Sequence, residues 1–161
     1  MESVSFPVQP ALLPLPEGVL EHEYIALRLT KSELGALDKD IAGDMDKDGL
    51  WTKPISGDRG AYPNVLRRTY QHAKREVLAK ERKSAAVMYT CSHVRMIAAG
   101  NKPPLVGVQA SHLCHNTKCL KVSHLVWEYR YQNLKRNRCI NLQACTCGQV
   151  PACMPTVHAS K

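Results

Sequence analysis

Aromatic residues are scarce in this 161-residue chain, which has one phenylalanine, two tryptophans and six tyrosines. So few large apolar side chains predict a thin hydrophobic core that needs additional stabilisation. No apolar run is long enough to span a bilayer, and the N-terminal residues have neither the basic start nor the apolar segment of a secretory signal. We therefore expect no membrane partner and a reducing compartment, nuclear or otherwise intracellular.

Acidic residues are almost absent from the second part of the chain. Residues 61–161 contain 16 Lys and Arg but 3 Asp and Glu, a net charge of +13. Residues 1–60 contain 6 Lys and Arg and 11 Asp and Glu, a net charge of −5. A part this basic points to a polyanion, most often nucleic acid, the alternative being a merely solvated surface. We expect an acidic N-terminal arm with a short helix over residues 1–60, of unassigned role, and a basic core over residues 61–161.

The cysteines have the spacing of metal ligands. Their odd number, seven, argues against a set of disulfides. Structural zinc needs four thiolate or imidazole ligands in a tetrahedron, and short loops deliver them when a few residues separate neighbouring ligands. One complete set of four thiols lies near the C-terminus: Cys139, Cys145, Cys147 and Cys153.

A second metal site is predicted by three ligands that are five residues apart, Cys114, Cys119 and His124. Cys91, the remaining thiol, is the candidate for the fourth ligand. Three histidines are alternatives to individual ligands in the two sites: His93, His115 and His158. We therefore predict two structural zinc ions, with every coordination position filled by protein.

In the N-terminal part, the pattern Thr30-x-x-Glu33 fits a capping box and predicts a helix near residues 31–43. The acidic segment 44–49 that follows resembles the start of a calcium-binding loop. Ile55 occupies the twelfth position, where such a loop needs a bidentate carboxylate. We interpret the segment as a turn.

In the basic part, apolar residues recur at intervals of four and three over residues 64–83, which predicts a helix. Its basic residues would contact DNA phosphates or would only be solvated. Residues 85–90 and 105–110 favour β-strands that would pair in an antiparallel manner. A last helix is predicted from Leu125 to about Arg138.

Two polar residues lie where a strand, a strand and a helix would surround one metal. His112 ends the second strand and is spare once the zinc sites are complete, and Asn133 projects from the inward face of the last helix, with Asn137 as its competitor. A neutral imidazole can take a proton from water, while a divalent cation held by Asn133 stabilises the phosphate and the leaving oxygen. This pair suffices for phosphodiester hydrolysis.

The segments 110–119, 123–125, 127–128 and 133–139 resemble the His-Cys box homing endonucleases, a family of the ββα-metal (His-Me finger) nuclease fold. The resemblance covers about residues 91–153. It implies a small α+β domain that is stapled by zinc, with a ββα-metal core and little regular sheet. It also implies a magnesium-dependent, site-specific endonuclease for double-stranded DNA, which acts in intron homing and leaves 5′-phosphate and 3′-hydroxyl ends.

By the same resemblance, His112 is the general base, Asn133 binds the catalytic magnesium, and Cys114, Cys119 and His124 bind the first zinc. Cys147 stands where the family has a histidine. An arginine of the family contacts the scissile phosphate, and Arg95 suits that role best. Three other arginines compete with it: Arg59, Arg67 and Arg68. Family members read long sites as two-fold dimers, which implies a homodimer. An inactive, zinc-stapled DNA-binding module and a zinc-ribbon protein-interaction module are the rival interpretations.

Overall fold

The computed structural model describes residues 19–55, 62–68, 86–139 and 145–154. Its elements are short and follow in the order α1 (Val19–Glu23), α2 (Lys31–Gly43), β1 (Asn64–Arg68), β2 (Ala86–Thr90), α3 (Cys91–Ala98), β3 (Val108–His112), β4 (Leu125–Tyr129) and α4 (Arg130–Asn137). Two 3-10 turns, Ile25–Arg28 and Val122–His124, precede α2 and β4. The predicted α+β fold with little regular sheet is confirmed.

Helix α2 forms where the capping box predicted it. The Thr30 hydroxyl accepts a hydrogen bond from the backbone N–H of Glu33 at 3.3 Å, and the Glu33 carboxylate accepts one from the backbone N–H of Thr30 at 2.9 Å. Leu37 and Ile41 lie one turn apart on the inner face and are fully buried. The helix therefore begins with a satisfied N-terminus and is held by the packing of one apolar face.

The acidic segment after α2 is a turn, as predicted. The Asp46 carboxylate accepts hydrogen bonds from the backbone N–H groups of Asp48 and Leu50, both at 2.9 Å. Gly49 has a φ of 76°, the left-handed conformation that glycine adopts most easily.

The strands form two separate antiparallel pairs, β1 with β2 and β3 with β4. The predicted pairing of residues 85–90 with residues 105–110 is therefore wrong. Helix α3 begins directly after β2 and leads the chain away, so β2 pairs with the earlier strand β1. Strand β3 pairs with β4 across the first cysteine loop, in a register that sets Val108 opposite Tyr129 and His112 opposite Leu125.

Two predicted helices begin as strands instead. Residues 64–68 form β1, so the predicted helix over residues 64–83 is wrong at its start, while its residues 69–83 lie outside the described part of the chain. Residues 125–129 form β4, and the last helix begins at Arg130 rather than Leu125. In both cases a cross-strand partner that is distant in sequence overrides a local pattern compatible with a helix.

The described acidic segment packs against the basic part. Leu37, Ile41 and Trp51 share one hydrophobic core with Val94 and Leu120. The Tyr24 hydroxyl donates a hydrogen bond to the carbonyl oxygen of Val108 at 2.5 Å. These contacts brace α3, β3 and the first cysteine loop. Within the described ranges, no helix combines the length and the apolar character needed to cross a membrane.

Candidate metal centres and active site

The loop between β3 and β4 brings three predicted metal ligands together. The ligand atoms of Cys114, Cys119 and His124 all lie within 4.8 Å of one another, and all three residues are buried. The Cys119 Sγ and the His124 Nδ1 are 3.3 Å apart. Tetrahedral zinc with ordinary bond lengths would hold a sulfur and a nitrogen about 3.5 Å apart. The three side chains therefore fit a zinc ion.

Cys91, the predicted fourth ligand, is not a member of this group. It is the first residue of α3 and is fully buried in the hydrophobic core beside Leu120. Burial raises the pKa of its thiol to about 12. The packing thus accounts for Cys91 as a core residue, and its assignment to zinc stays a prediction that the observed grouping does not support.

The second group contains the four cysteines that the spacing predicted: Cys139, Cys145, Cys147 and Cys153. Consecutive Sγ atoms in this group are separated by 3.7, 3.2 and 3.7 Å. Zinc–sulfur bonds of ordinary length in a tetrahedron would place the sulfurs about 3.8 Å apart. The four side chains are therefore arranged as a closed, structural type of zinc site.

The thiols of the two groups differ in pKa according to their surroundings. The hydrogen bond with Cys114, together with burial, raises the pKa of Cys119 above its ordinary value. Burial, reinforced by Cys145 and Cys147, raises the pKa of Cys153 to about 12. Backbone hydrogen bonds at Cys147 and Cys153 lower the pKa of Cys145 to about 6, so this thiol ionises readily, whereas Cys119 and Cys153 would release a proton on binding a metal. The donor sets thus suit zinc, and all seven cysteines are free of disulfides.

A buried ion pair connects the second group to the β3–β4 unit. Arg136, which is 0% exposed, donates to both carboxylate oxygens of Glu128 at 3.0 and 2.8 Å. It also donates to the carbonyl oxygen of Pro151 at 3.0 Å and contacts the Cys153 Sγ at 3.6 Å. Burial alone would lower the pKa of Arg136, but the hydrogen bonds and charge of Glu128 raise it. One guanidinium therefore ties β4, α4 and the second cysteine loop together.

His112 is the last residue of β3 and lies immediately before the first cysteine loop. Its ring is 7% exposed and stacks on Tyr62, with ring centroids 5.7 Å apart and 20° between the planes. Its Nε2 is buried without a hydrogen-bond partner among the residues that the structure describes. Burial lowers its pKa, while the charge of Cys114 and a backbone hydrogen bond at Cys119 act in the opposite direction. The imidazole does not belong to either group of metal ligands.

Asn133 lies in α4 and is held by two side chains of β3. The Ser111 hydroxyl donates to its Oδ1 at 2.8 Å, and its Nδ2 donates to the Gln109 Oε1 at 3.1 Å. Asn133 is 8% exposed. Because alternate residues of a strand share a face, Gln109 and Ser111 reach the same carboxamide. These two hydrogen bonds hold the Asn133 carboxamide in place against β3.

A cavity of about 390 Å³ adjoins these residues. Its wall includes Asn133, Gln109 and Tyr62, so the aromatic partner of His112 and the carboxamide face the same space, although His112 itself does not line it. The lining also includes Tyr24, His93 and one acidic residue, Glu23. Burial lowers the pKa of His93 to about 4. The cavity is therefore lined mostly by neutral polar and aromatic groups.

Arg95, the arginine predicted to contact the phosphate, points elsewhere. Its Nη1 forms an ion pair with the Asp38 carboxylate at 2.8 Å, on the side of α3 that packs against α2. It is not among the residues that line the cavity. Three other arginines were candidates for the same role. Arg59 lies outside the described residues, and Arg67 and Arg68 are the last two residues of β1. The role of Arg95 remains a prediction.

Comparison with known proteins decides the family. A family model for the zinc-binding loop region of homing endonucleases matches residues 54–159. The chain belongs to this family. No curated protein matches the chain. Membership in the homing endonuclease family implies DNA binding and nuclease activity in general.

Three residues of the candidate site are not predicted from the sequence: Tyr62, Gln109 and Ser111. Tyr62 is 50 positions from His112, and no local pattern links the two residues. Gln109 and Ser111 carry a signal, since they alternate along a strand that ends at His112. The strand predicted over residues 105–110 stops one residue short of Ser111, whereas the observed strand β3 extends to His112.

Proposed function

We propose that this protein is a magnesium-dependent, site-specific endonuclease for double-stranded DNA of the homing type, with His112 as general base. One observation carries the proposal. Tyr62, on which the His112 ring stacks, lines the same cavity as the buried carboxamide of Asn133. Family membership supplies the activity class, and this arrangement supplies the residues that would perform it.

His112 would act through its Nε2. A buried imidazole nitrogen without a protein partner can take the proton of a water molecule while the water oxygen attacks phosphorus. The bond between phosphorus and the 3′ oxygen then breaks, and the leaving oxygen takes a proton from solvent, which leaves a 5′-phosphate and a 3′-hydroxyl end. Tyr62 restricts the ring by stacking, and the first cysteine loop anchors the strand end from which His112 projects.

Asn133 would hold the catalytic cation through its Oδ1. Magnesium prefers oxygen ligands and keeps most of its own water, so a single carboxamide oxygen together with phosphate oxygens is a suitable set. When bound there, the cation stabilises negative charge on the leaving oxygen. Ser111 and Gln109 would keep the Oδ1, rather than the Nδ2, directed at the cation.

The two cysteine groups would hold structural zinc. They lie on either side of α4 in sequence, and the Arg136–Glu128 pair joins the second group to that helix. Zinc would therefore fix the separation of β3 and α4, and so of His112 and Asn133, without contacting DNA. Seven free cysteines agree with a reducing, intracellular compartment, nuclear or otherwise.

Plasmid nicking tests the general base. With zinc-loaded protein, magnesium and supercoiled plasmid carrying a cleavable site, we expect His112→Ala to lower the single-turnover rate by about 10²- to 10⁴-fold. DNA affinity and zinc content should stay unchanged. His115→Asn is the matched control, because His115 lies in the same loop with a φ of 57° that asparagine tolerates, and it belongs to neither metal group.

Equal nicking by the wild type and His112→Ala would remove His112 as the base. Binding without nicking by the wild type would favour the inactive DNA-binding module instead. Cleavage at a site with two-fold symmetry, by a species of twice the monomer mass, would support the homodimer that the family resemblance implies.

A further inference from the structure

The outward side of α4 presents aromatic and basic residues to solvent. We define this outer face by the exposed aromatic, aliphatic and basic residues of α4 and of the positions directly before and after it: Tyr129, Arg130, Tyr131, Leu134, Lys135 and Arg138. The inner side of the same helix carries the buried residues Asn133 and Arg136. The helix therefore buries two polar residues and exposes two large side chains, Tyr131 and Leu134, whereas an ordinary surface helix buries its large apolar residues.

Two tyrosines form the centre of the outer face. Their rings stack with centroids 5.9 Å apart and an angle of 14° between the planes. Tyr131 is 60% exposed, Tyr129 is 38% exposed, and Leu134 beside them is 48% exposed. Stacked rings that remain this accessible mark an interaction surface more often than a structural contact.

The charge of the outer face fits a polyanion. Arg130, Lys135 and Arg138 are exposed beside the tyrosines in the sequence, and the sequence has no acidic residue after Glu128. Glu128 is itself buried against Arg136, so it does not offset these cations. A second copy of this face would bring like charges together, which argues against a symmetric contact between two such faces.

Cations beside exposed aromatic rings are the pattern that binds nucleic acid through its bases as well as its phosphates. The bases of an intact duplex are stacked on one another, so a ring can stack only on a base that has left the stack. The location agrees with such a role. Tyr129 lies opposite Val108 of the cavity wall, and Tyr131 precedes Asn133 by two residues.

We propose that Tyr129 and Tyr131 form a stacking platform for a base that is unstacked beside the cleaved phosphodiester. The preferred substrate is then DNA that is locally opened at the site. This inference rests on the proposed DNA substrate, but not on cleavage.

Binding of two DNA probes without divalent cations tests the platform. The probes are a 20-nucleotide oligo(dT) and a 20-base-pair duplex of mixed sequence. We expect Tyr131→Ala to weaken binding of oligo(dT) by about 5- to 100-fold, the range for the loss of one base–aromatic stack, and to change duplex affinity less than twofold. Tyr131→Phe should bind both probes like the wild type.

Leu134→Ala is the matched control, because it removes an exposed apolar side chain of the same face without removing a ring. It should change neither affinity by more than twofold. Zinc content establishes that each variant is folded.

Three results would overturn the platform: no binding of oligo(dT) by the wild type, no effect of Tyr131→Ala, or equal weakening of both probes. Loss of a dimer in Tyr131→Ala, seen by light scattering without any loss of oligo(dT) affinity, would also overturn it and would identify a protein contact. None of these measurements involves nicking, so an inactive nuclease with an intact platform is distinguishable from a failed platform.

Discussion

Replacing Arg136 with methionine should cost this protein much of its stability. The guanidinium is fully buried and donates to both oxygens of the Glu128 carboxylate, whose residue is 5% exposed. Methionine has a similar volume but no donors, so the carboxylate would stay buried without its partner. Removing one member of a buried pair lowers the free energy of unfolding by about 3–5 kcal/mol.

The Lys53–Asp44 pair is an internal control for this prediction. Its nitrogen–oxygen distance of 2.6 Å is shorter than that of the buried pair, but the lysine side chain is 56% exposed. Solvent screens such a pair, so Lys53→Met should lower the free energy of unfolding by less than about 1 kcal/mol. The comparison separates burial from distance as the source of the effect.

The assay is denaturant unfolding with zinc held in constant excess, since zinc loss would otherwise shift the equilibrium. A double variant, Arg136→Met with Glu128→Leu, should recover most of the loss because no buried charge remains. Zinc should also leave Arg136→Met faster, because Arg136 contacts Pro151 and Cys153 of the second cysteine loop. If Arg136→Met lowered the free energy of unfolding no more than Lys53→Met does, burial would not be the source of the stability that the Arg136–Glu128 pair provides.

Three further outcomes follow from the same structure. The purified protein should bind two zinc ions, the Cys145→Ser variant one, and the Cys91→Ala variant two. A loss of zinc from Cys91→Ala would show instead that Cys91 is a ligand. Gln109→Leu should raise the magnesium concentration for half-maximal nicking by about 10- to 100-fold at unchanged DNA affinity. An unchanged magnesium concentration for half-maximal nicking would show that the Gln109 contact does not orient Asn133. Leu37→Ala should lower the free energy of unfolding by about 2–5 kcal/mol, since Leu37 is 0% exposed. A decrease of less than about 1 kcal/mol would contradict its place in the core.

The metal ligands could be predicted because their grouping is largely local. Cys114, Cys119 and His124 lie within one short loop, and the second group begins only fifteen residues after it. Ligand types and spacing therefore determine most of both groups. Cys91 was assigned by elimination, a method that cannot distinguish a ligand from a thiol packed in a hydrophobic core.

The strand partners could not be predicted because pairing depends on contacts that are distant in sequence. Residues 125–129 include valine, tryptophan and tyrosine, which fit a strand as well as a short helix, and only the pairing with β3 decides between them. The order of strand, strand and helix before Asn133 was nevertheless anticipated. The strands that provide it are β3 and β4, on either side of the first cysteine loop, rather than the pair expected.

The magnesium dependence of nicking by Asn133→Ala tests the central claim most directly. Single-turnover rates on the same plasmid, at saturating protein and increasing magnesium, would be compared with those of the wild type. The proposed function predicts that the wild type needs magnesium and that Asn133→Ala is slower by about 100-fold or more, with DNA affinity and zinc content unchanged. Equal rates at every magnesium concentration would contradict a catalytic cation held by Asn133 beside His112.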